Sequence, residues 1–464
     1  MGLTQNAAGR RIASLLDANS FVEVGGLVTA RSTDFNLSAA QTPSDGVITG
    51  YGTIDGNLVY VYSQDASVLG GSVGEMHAKK ITRIYSLARK TGAPIIGLID
   101  CAGIRLEEST DALNALGRIL RSQVMASGLI PQLVGIFGNC GGGLSIIPAL
   151  ADFTFIEKEN GRLFVNDPDA IEGNTKEKLD TASADYQLEA GNADFAGTEA
   201  EVYAAMRELV ALLPLNCEDE GAMAAVTDDL NRAASGIASV KGNAAEALKL
   251  IGDGGQFFET KRGFAGCITT GFIRLNGYTV GCVANSSDKA VLCAGGAEKA
   301  ASFIGFCDAF NIPVLTLANA EALRNSECTE KRFPRNAARL TYAYTNATVP
   351  KVTVVTGKAY GTAYILMGSK AVGADMVFAW KDAEIGTMDA KMAAKIIADG
   401  ADADTMKKTA EEYTALQQCV TSAARHGYVD TIIEAEETRK YVIGAFEMLY
   451  TKREDRPDKK HGTV

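Results

Sequence analysis

The sequence predicts an α/β protein made of two tandem copies of one domain. Three observations carry that prediction: strand and helix patterns alternate, the pattern recurs after 219 residues, and each copy has a glycine-rich turn between a buried strand and an apolar helix. The first copy opens with GYGTIDGNLVYVYSQDASVLGG (50–71), where Asp55-Gly56 marks a hairpin turn. HAKKITRIYSLARKTG (77–92) follows, with Ile81, Ile84, Tyr85 and Ala88 on one helical face, and then the strand APIIGLID (93–100). The second copy reads TGFIRLNGYTVGCVANSS (270–287), turning at Asn276-Gly277, then GGAEKAASFIGFCDAFN (295–311) and IPVLTLAN (312–319). Pro94 and Pro313 are 219 positions apart, as are Pro131 and Pro350, Gly138 and Gly357, and Gly142 and Gly361. The short strands DFTFI (152–156) and DMVFA (375–379) complete the correspondence. A period this long is no solenoid. It divides the chain into one domain over 1–225 and another over 226–464, with the polar, Ala/Gly-rich stretch 226–248 connecting them. The alternation makes both sheets largely parallel, with right-handed crossovers.

Composition narrows the function. A chain of 464 residues suits two large α/β domains better than one core. A net charge of −11 argues against nucleic-acid binding, which wants a basic stripe. An apolar fraction of 47% excludes disorder. No apolar run reaches the ~18 residues of a membrane helix, and MGLTQNAAGRRIASLL lacks the basic-then-apolar form of a signal peptide, so the expectation is a cytoplasmic chain. The 9 cysteines include no CxxC pair, and Cys267, Cys282, Cys293 and Cys307 lie in apolar runs as small buried hydrophobes. The 3 histidines, His77, His426 and His461, are too few for a His-rich metal centre or a Ser/His triad, so no metal is expected. His77 reads as a capping or packing residue at a helix start, and His426 before Gly427 as a helix C-terminal residue. Cys140 reads as a packing residue, since no His partner is near it in sequence.

The glycine turns are where chemistry could sit. In the first copy Leu133–Phe137 is the strand and Asn139-Cys140-Gly141-Gly142-Gly143 the turn; in the second, Val352–Thr356 is followed by KAYGTA (358–363). A turn of this kind aims free backbone N–H groups at one point, which suits a developing oxyanion such as a thioester enolate. The competing reading is structural: glycine permits close packing or positive φ. Recurrence at a fixed offset strengthens the functional reading.

Longer runs add a resemblance. SFVEV (20–24), DGVITGYGTIDG (45–56), VLGGSVGEMHAKK (68–80), GAPIIGL (92–98), ASGLIPQ (126–132), PALADFTFI (148–156), DGGQFFE (253–259), FCDAFNIPV (306–314), YTNATVPKVTVVTGKAYGTAY (344–364), GYVDTIIEAEETRKY (427–441) and KREDRPDKKHG (452–462) occur in this order. In them the chain resembles the β-type carboxyltransferase subunits of biotin-dependent acyl-CoA carboxylases, decarboxylases and transcarboxylases, the propionyl-CoA carboxylase β and methylmalonyl-CoA carboxyltransferase 12S-like family. The resemblance implies two tandem crotonase-like domains, the first on the acyl-CoA side and the second on the biotin side. It implies a homo-hexamer built as a trimer of dimers, with each site shared between the first domain of one chain and the second of another. Coenzyme A thioester is then the substrate. Biotin is carried on a separate subunit, in keeping with the lack of a Met-Lys-Met attachment site here. The implied partners are a biotin carboxyl carrier and a biotin carboxylase, or the membrane subunits of a decarboxylase to which the chain would be peripheral.

Carried over residue by residue, the resemblance puts one oxyanion hole on Gly141 and Gly142, with Gly143 and the Ala102-Gly103 turn beside the substrate, and the other on Thr362 and Ala363, opened by Gly361. Tyr364 and Ile365 fall at the acyl pocket; an apolar Ile365 suits a short monoacyl group, while core packing is its competing role. Lys79 and Lys80 are either contacts for CoA phosphates or ordinary solvated lysines. The chain departs from the family pattern at Cys101–Arg105, Cys140–Leu144, Thr362, Asn319–Leu323, Arg335–Ala337 and 181–195. Those changes fit an altered substrate or direction. They leave three readings: a carboxylase component, a decarboxylase α subunit working in reverse with a membrane sodium pump, or a catalytically silent scaffolding paralogue. The charged tail from Lys452 is expected to pack on a partner chain.

Overall fold

The computed structural model describes residues 5–31, 42–174, 178–219, 224–226, 228–240, 242–286 and 291–457. It divides into two compact units, 1–222 and 223–464. In unit 1 the elements are α1 (Ala7–Leu15), β1 (Val22–Glu23), β2 (Val47–Ile54), β3 (Asn57–Gln64), α2 (Glu75–Thr91), β4 (Ile95–Cys101), α3 (Ser109–Val124), β5 (Gln132–Gly141), α4 (Ile146–Leu150), β6 (Phe153–Glu157), β7 (Arg162–Phe164), α5 (Ala184–Ala190), β8 (Phe195–Gly197) and α6 (Glu199–Leu212). Their sheet runs β1-β2-β3-β4-β5-β6-β8, with β7 on the far end of β5. The β1–β2–β3 ribbon is antiparallel, and every pairing from β3 to β8 is parallel.

Unit 2 repeats the plan. Its elements are α7 (Ala244–Ile251), β9 (Phe258–Thr260), β10 (Ile268–Leu275), β11 (Tyr278–Asn285), β12 (Val291–Leu292), α8 (Ala294–Ala309), β13 (Val314–Ala320), β14 (Ala322–Leu323), α9 (Glu327–Asn346), β15 (Lys351–Tyr360), α10 (Gly361–Leu366), β16 (Met376–Trp380), β17 (Glu384–Gly386), α11 (Ala390–Ile397), α12 (Ala403–Tyr413), α13 (Val420–Arg425), β18 (Thr431–Ile433) and α14 (Thr438–Leu449). The sheet order is β9-β10-β11-β13-β15-β16-β18, β17 sits on β15, and β12 and β14 form a ribbon of their own. The hairpins turn as their dipeptides require: φ is +50° and +81° at Asp55-Gly56, and +51° and +77° at Asn276-Gly277. Helix α2 buries Ile81, Ile84, Tyr85 and Ala88 against its sheet, and it stops at Gly92, which is left-handed.

Three local expectations change. The stretch 226–248 is not a bare connection: Ala234, Ile237, Ala244, Ala247 and Leu248 lie in the apolar core of unit 2. Arg439 fastens this region by donating to Ile251 O (2.7 Å) and Asp253 Oδ1 (2.6 Å), just as Arg207 donates to Leu15 O (2.8 Å) and Asp17 Oδ1 (2.9 Å) in unit 1. The repeat therefore reaches back to α1 and α7. The strands β5 and β15 also outrun their predicted ends, continuing to Gly141 and Tyr360, because β7 and β17 extend the pairing. The tail folds onto its own unit, with Lys452 Nζ on Asp375 Oδ2 (2.8 Å) and Arg456 Nη2 on Thr345 O (3.0 Å). Residues 458–464, with His461, lie outside the described residues.

The sheets share one irregularity. Register between β4 and β5 slips between Ile99 and Cys101, and between β13 and β15 it slips between Ala318 and Ala320. The residues skipped are Asp100 and Asn319, repeat partners, and their side chains fill the space facing Gly138 and Gly357. A Cβ there would stand 2.0 Å from Asp100 Oδ1 or 2.6 Å from Asn319 Oδ1. Arg11 pairs with Asp100 (2.8 Å), and the Asp100 amide donates to Gln64 Oε1 (3.3 Å). In unit 2 the Asn319 amide donates to Asn285 Oδ1 (2.9 Å), and Asn319 Oδ1 accepts from Lys358 N (3.1 Å).

A buried polar cluster fixes the loop that follows β4. Arg105, wholly enclosed, donates to Asp45 Oδ1 (2.6 Å), Glu108 Oε1 (2.8 Å) and Ser72 O (2.8 Å). Breaking a buried pair costs about 3–5 kcal/mol, because the partner's charge is left uncompensated. Arg105→Leu strands both Asp45 and Glu108, so urea unfolding at neutral pH is expected to show a loss of about 3–5 kcal/mol. A stability within about 1 kcal/mol of the parent, the range of an exposed pair, would show that the cluster does not hold the loop.

Candidate active site

Both glycine turns form at the C-terminal ends of central parallel strands. Gly142 begins the first with φ +60°, and Gly361 the second with φ +54°. From Gly142 the chain makes a 3₁₀ turn to Ser145 and enters α4; from Gly361 it enters α10 directly. The amides that open a helix have no partner in the preceding turn. The space in front of Gly142 is clear to 4 Å, whereas a Cβ on Gly361 would meet Thr387 O at 3.0 Å.

The candidate residues sort by position. Gly141 belongs to β5, where a Cβ would strike the Phe164 ring at 2.4 Å, so close packing requires this glycine. Gly143 and Thr362 are exposed at the turn mouths, and Ala363 is buried. The Ala102 amide is already committed to Gly70 O (2.9 Å), while Gly103, at φ +130°, has clear space in front of it. Tyr364 is partly buried, which raises its phenol above the ordinary range. Ile365 is 44% exposed, as is its repeat partner Ile146, so it is not core.

Sequence reasoning missed the strap beneath these turns. Residues 70–73 zip onto 102–105 through Ala102 N→Gly70 O, Val73 N→Gly103 O and Arg105 N→Val73 O, each 2.9 Å. Gly71 allows the approach: a Cβ there would lie 2.4 Å from Asp100 O. Consecutive glycines in VLGG are the signal that could have found it. In unit 2 the same zipper appears as the β12–β14 ribbon, with Arg324 N→Leu292 O at 2.9 Å.

The titratable groups near unit 1's turn are structural. His77 is fully buried and caps nothing; its Nδ1 donates to Asp45 O (2.9 Å), and its Nε2 accepts from Gln64 Nε2 (3.1 Å), the tautomer this network requires. Burial, with Arg105 and Lys80 nearby, holds its pKa down to about 3. Lys80 is buried too, bonding Ser44 and Val47 O, and its pKa is pushed down to about 8, chiefly by burial. It therefore holds the Ser44–Val47 turn and offers no charge to a ligand. Lys79 is exposed, on a 460 Å³ cavity lined also by Val24, Val28, Met76, Thr82 and Arg83. Cys140 is buried with its thiol raised by desolvation, which suits packing and no nucleophile. His426 ends α13, its Nδ1 2.8 Å from Ser422 O, as expected.

Comparison with known proteins now bears on these turns. The Carboxyl transferase domain profile matches residues 5–464. The chain belongs to the carboxyl transferase family. This carboxyltransferase is 39% identical to the propionyl-CoA carboxylase beta chain of Roseobacter denitrificans, an alignment spanning 98% of this chain and 93% of the relative. It is 38% identical to the methylmalonyl-CoA decarboxylase subunit alpha of Veillonella parvula, over 98% and 92%. Its fold superposes on the hexameric transcarboxylase 12S core, solved with hydrolysed methylmalonyl-coenzyme A, with a TM-score of 0.92 at 35% identity, covering 98% and 92%. Two tandem crotonase-like domains are thus its architecture. Among the described residues no helix is long and apolar enough to cross a membrane.

His77 predicts a pH dependence. Its folded pKa lies below the unfolded value of about 6.5, so the unfolded state binds the extra proton as pH falls. Stability contributed by neutral His77 is full above about pH 6.5 and declines toward pH 3. His77→Gln removes this contribution, and urea midpoints between pH 7 and pH 4 are expected to fall less steeply than in the parent. Parallel profiles would show that the imidazole does not titrate on unfolding.

Proposed function

We propose that this chain is the subunit that moves a carboxyl group between carboxybiotin, borne by a separate carrier protein, and the α-carbon of a short-chain acyl-CoA. The observation that carries the reading is the turn built twice, at Gly142 and Gly361, in a chain of the carboxyl transferase family. Taking a proton from the α-carbon of a thioester moves charge onto the carbonyl oxygen. Amide donors fixed beforehand stabilise that charge, and losing one costs about 10²–10³ in rate. In unit 1, the acyl-CoA side over 1–225, the donor pair expected at Gly141 and Gly142 moves on by one residue: Gly141 lies in β5 and holds the strand, Gly142 and Gly143 are the donors, and Ala102-Gly103 forms the wall beside them. The clear space at Gly103 and Gly142 supports this placement. In unit 2, the biotin side over 226–464, Thr362 and Ala363 are the donors, aimed by Gly361. Carboxybiotin supplies the carboxyl group and, once it has given it up, a basic nitrogen. The buried state of His77 supports a protein role limited to orientation and charge stabilisation.

The working form is a cytoplasmic homo-hexamer, a trimer of dimers, served by a biotin carboxyl carrier and a biotin carboxylase. The Veillonella parvula relative, at 38% identity, favours a second reading on the same geometry: decarboxylation, with membrane subunits as partners. Asn319, though changed from the family pattern, still fastens Lys358 N, which supports an active second turn over a silent scaffold.

Two substitutions test the reading. Gly142→Val redirects the amides at a left-handed position. Transfer between carboxybiotin and acyl-CoA is expected to fall about 10²–10³-fold, with a stability loss of only about 1–2 kcal/mol. Full transfer by a folded variant would make the turn merely structural. Ile365, Tyr364's neighbour, offers a dry wall worth about 0.8 kcal/mol per buried CH₂ and no partner for a second carboxylate. Ile365→Asp is expected to change the relative rates with acetyl-CoA, propionyl-CoA and butyryl-CoA. Unchanged relative rates would remove Ile365 from the acyl pocket.

A further inference from the structure

The repeat places a cysteine where the other unit needs a glycine. Gly74 caps α2, and a Cβ there would lie 2.4 Å from Glu108 Oε1 and 2.5 Å from Arg105 Nη1. Its repeat partner is Cys293, which caps α8 with Sγ accepting from Gly296 N (3.3 Å). Arg324, the partner of Arg105, is exposed and lends its positive charge to Cys293. The second thiol is Cys267, buried just before β10, and its Sγ stands 2.7 Å from Cys293 Sγ. The site is held rigidly on the Cys267 side, because Lys299 Nζ donates to the next carbonyl, Ile268 O (2.9 Å). Cys293 is only partly buried, whereas Cys267 is enclosed.

We propose that Cys293 and Cys267 are a redox-active pair, a modification site in which a peroxide converts the two thiols to a disulfide within one chain. The Cys293 thiolate attacks a peroxide oxygen; the O–O bond breaks, hydroxide leaves and a sulfenic acid remains. The Cys267 sulfur then attacks Cys293 Sγ, the S–O bond breaks, and the departing hydroxide takes up the Cys267 proton. Two thiols and one hydrogen peroxide give one disulfide and two waters. The roles follow from geometry and charge. Cys293 has the exposure, and the hydrogen bond shared with Cys267, the Gly296 amide and Arg324 together hold it below the ordinary thiol range. Cys267 is the resolving thiol, being enclosed and already in contact. The disulfide would pin the first turn of α8 and the adjoining β12–β14 ribbon to the start of β10. Disulfides of this kind in reducing compartments are transient and redox-sensing.

The test treats the reduced, intact protein with one equivalent of hydrogen peroxide, alkylates the remaining thiols, and maps peptides without reduction. The expected result is a linked pair of peptides carrying Cys267 and Cys293, two hydrogens lighter, released by dithiothreitol, in a protein that still runs as a single chain on a non-reducing gel. Exposed Cys328 stays fully alkylated as the internal control. In Cys267→Ser the reaction stops at the Cys293 sulfenic acid, trapped by dimedone, and in Cys293→Ser Cys267 remains reduced. Full alkylation of both thiols in the parent, a link between chains, or prior oxidation of Cys328 would overturn the proposal. Should either variant fail to fold, the linked-peptide map of the parent decides alone.

Discussion

Everything at the candidate site depends on where two parallel strands fall out of step. At Asp100 and Asn319 a single residue of one strand stands against three of its neighbour, and its side chain occupies the room that Gly138 or Gly357 leaves there. A parallel pair has evenly spaced hydrogen bonds, so a two-residue slip cannot be shared along the strand and stays where the filling group holds it. Beyond the slip, β5 and β15 are free to pair with β7 and β17 and to end in a left-handed glycine. The turns are aimed by this displacement and not by the helices after them, which are short.

Much of this architecture was legible, and the reason is periodicity. Hairpin dipeptides, the helical face of α2 and the fixed spacing of proline and glycine are local signals, and each maps onto an element of the fold. The site residues divide differently. Gly142 and Gly361 stand out because a positive φ leaves its mark on the residue type. Gly138 and Gly357 were visible as a repeat but not as one half of a slip, because the other half lies on a strand 38 residues earlier. Arg105, Asp45 and Glu108 were invisible as a cluster for the same reason: nothing in a linear sequence says that three charges will be enclosed together. Lys80 shows the opposite failure, since an ordinary helix lysine gave no sign of being buried.

The two units solve one problem with different chemistry. Unit 1 stations a carboxylate at its slip, answers it with Arg11 and ties it through Gln64 to His77. Unit 2 uses the neutral amides of Asn319 and Asn285, and Gly296 stands where His77 would be. Among the described residues Asn285 Nδ2 consequently has no partner, while the matching Gln64 Nε2 has one. A neutral amide holds its partner amide at nearly the same distance without needing a counter-charge, so unit 2 dispenses with the ion pair. Duplication has thus preserved geometry while releasing composition, which is the pattern expected when the shape of the backbone is what function requires.

The paired lysines carry a practical consequence. Lys80 and Lys299, partners in the repeat, each thread an ammonium group into a nest of main-chain oxygens beneath the first strand of their hairpin. An amine in that position is closed to acylating reagents until its helix lifts. Its labelling rate in the native protein is therefore a clock for local opening, and the two lysines keep separate time for the two halves of the molecule.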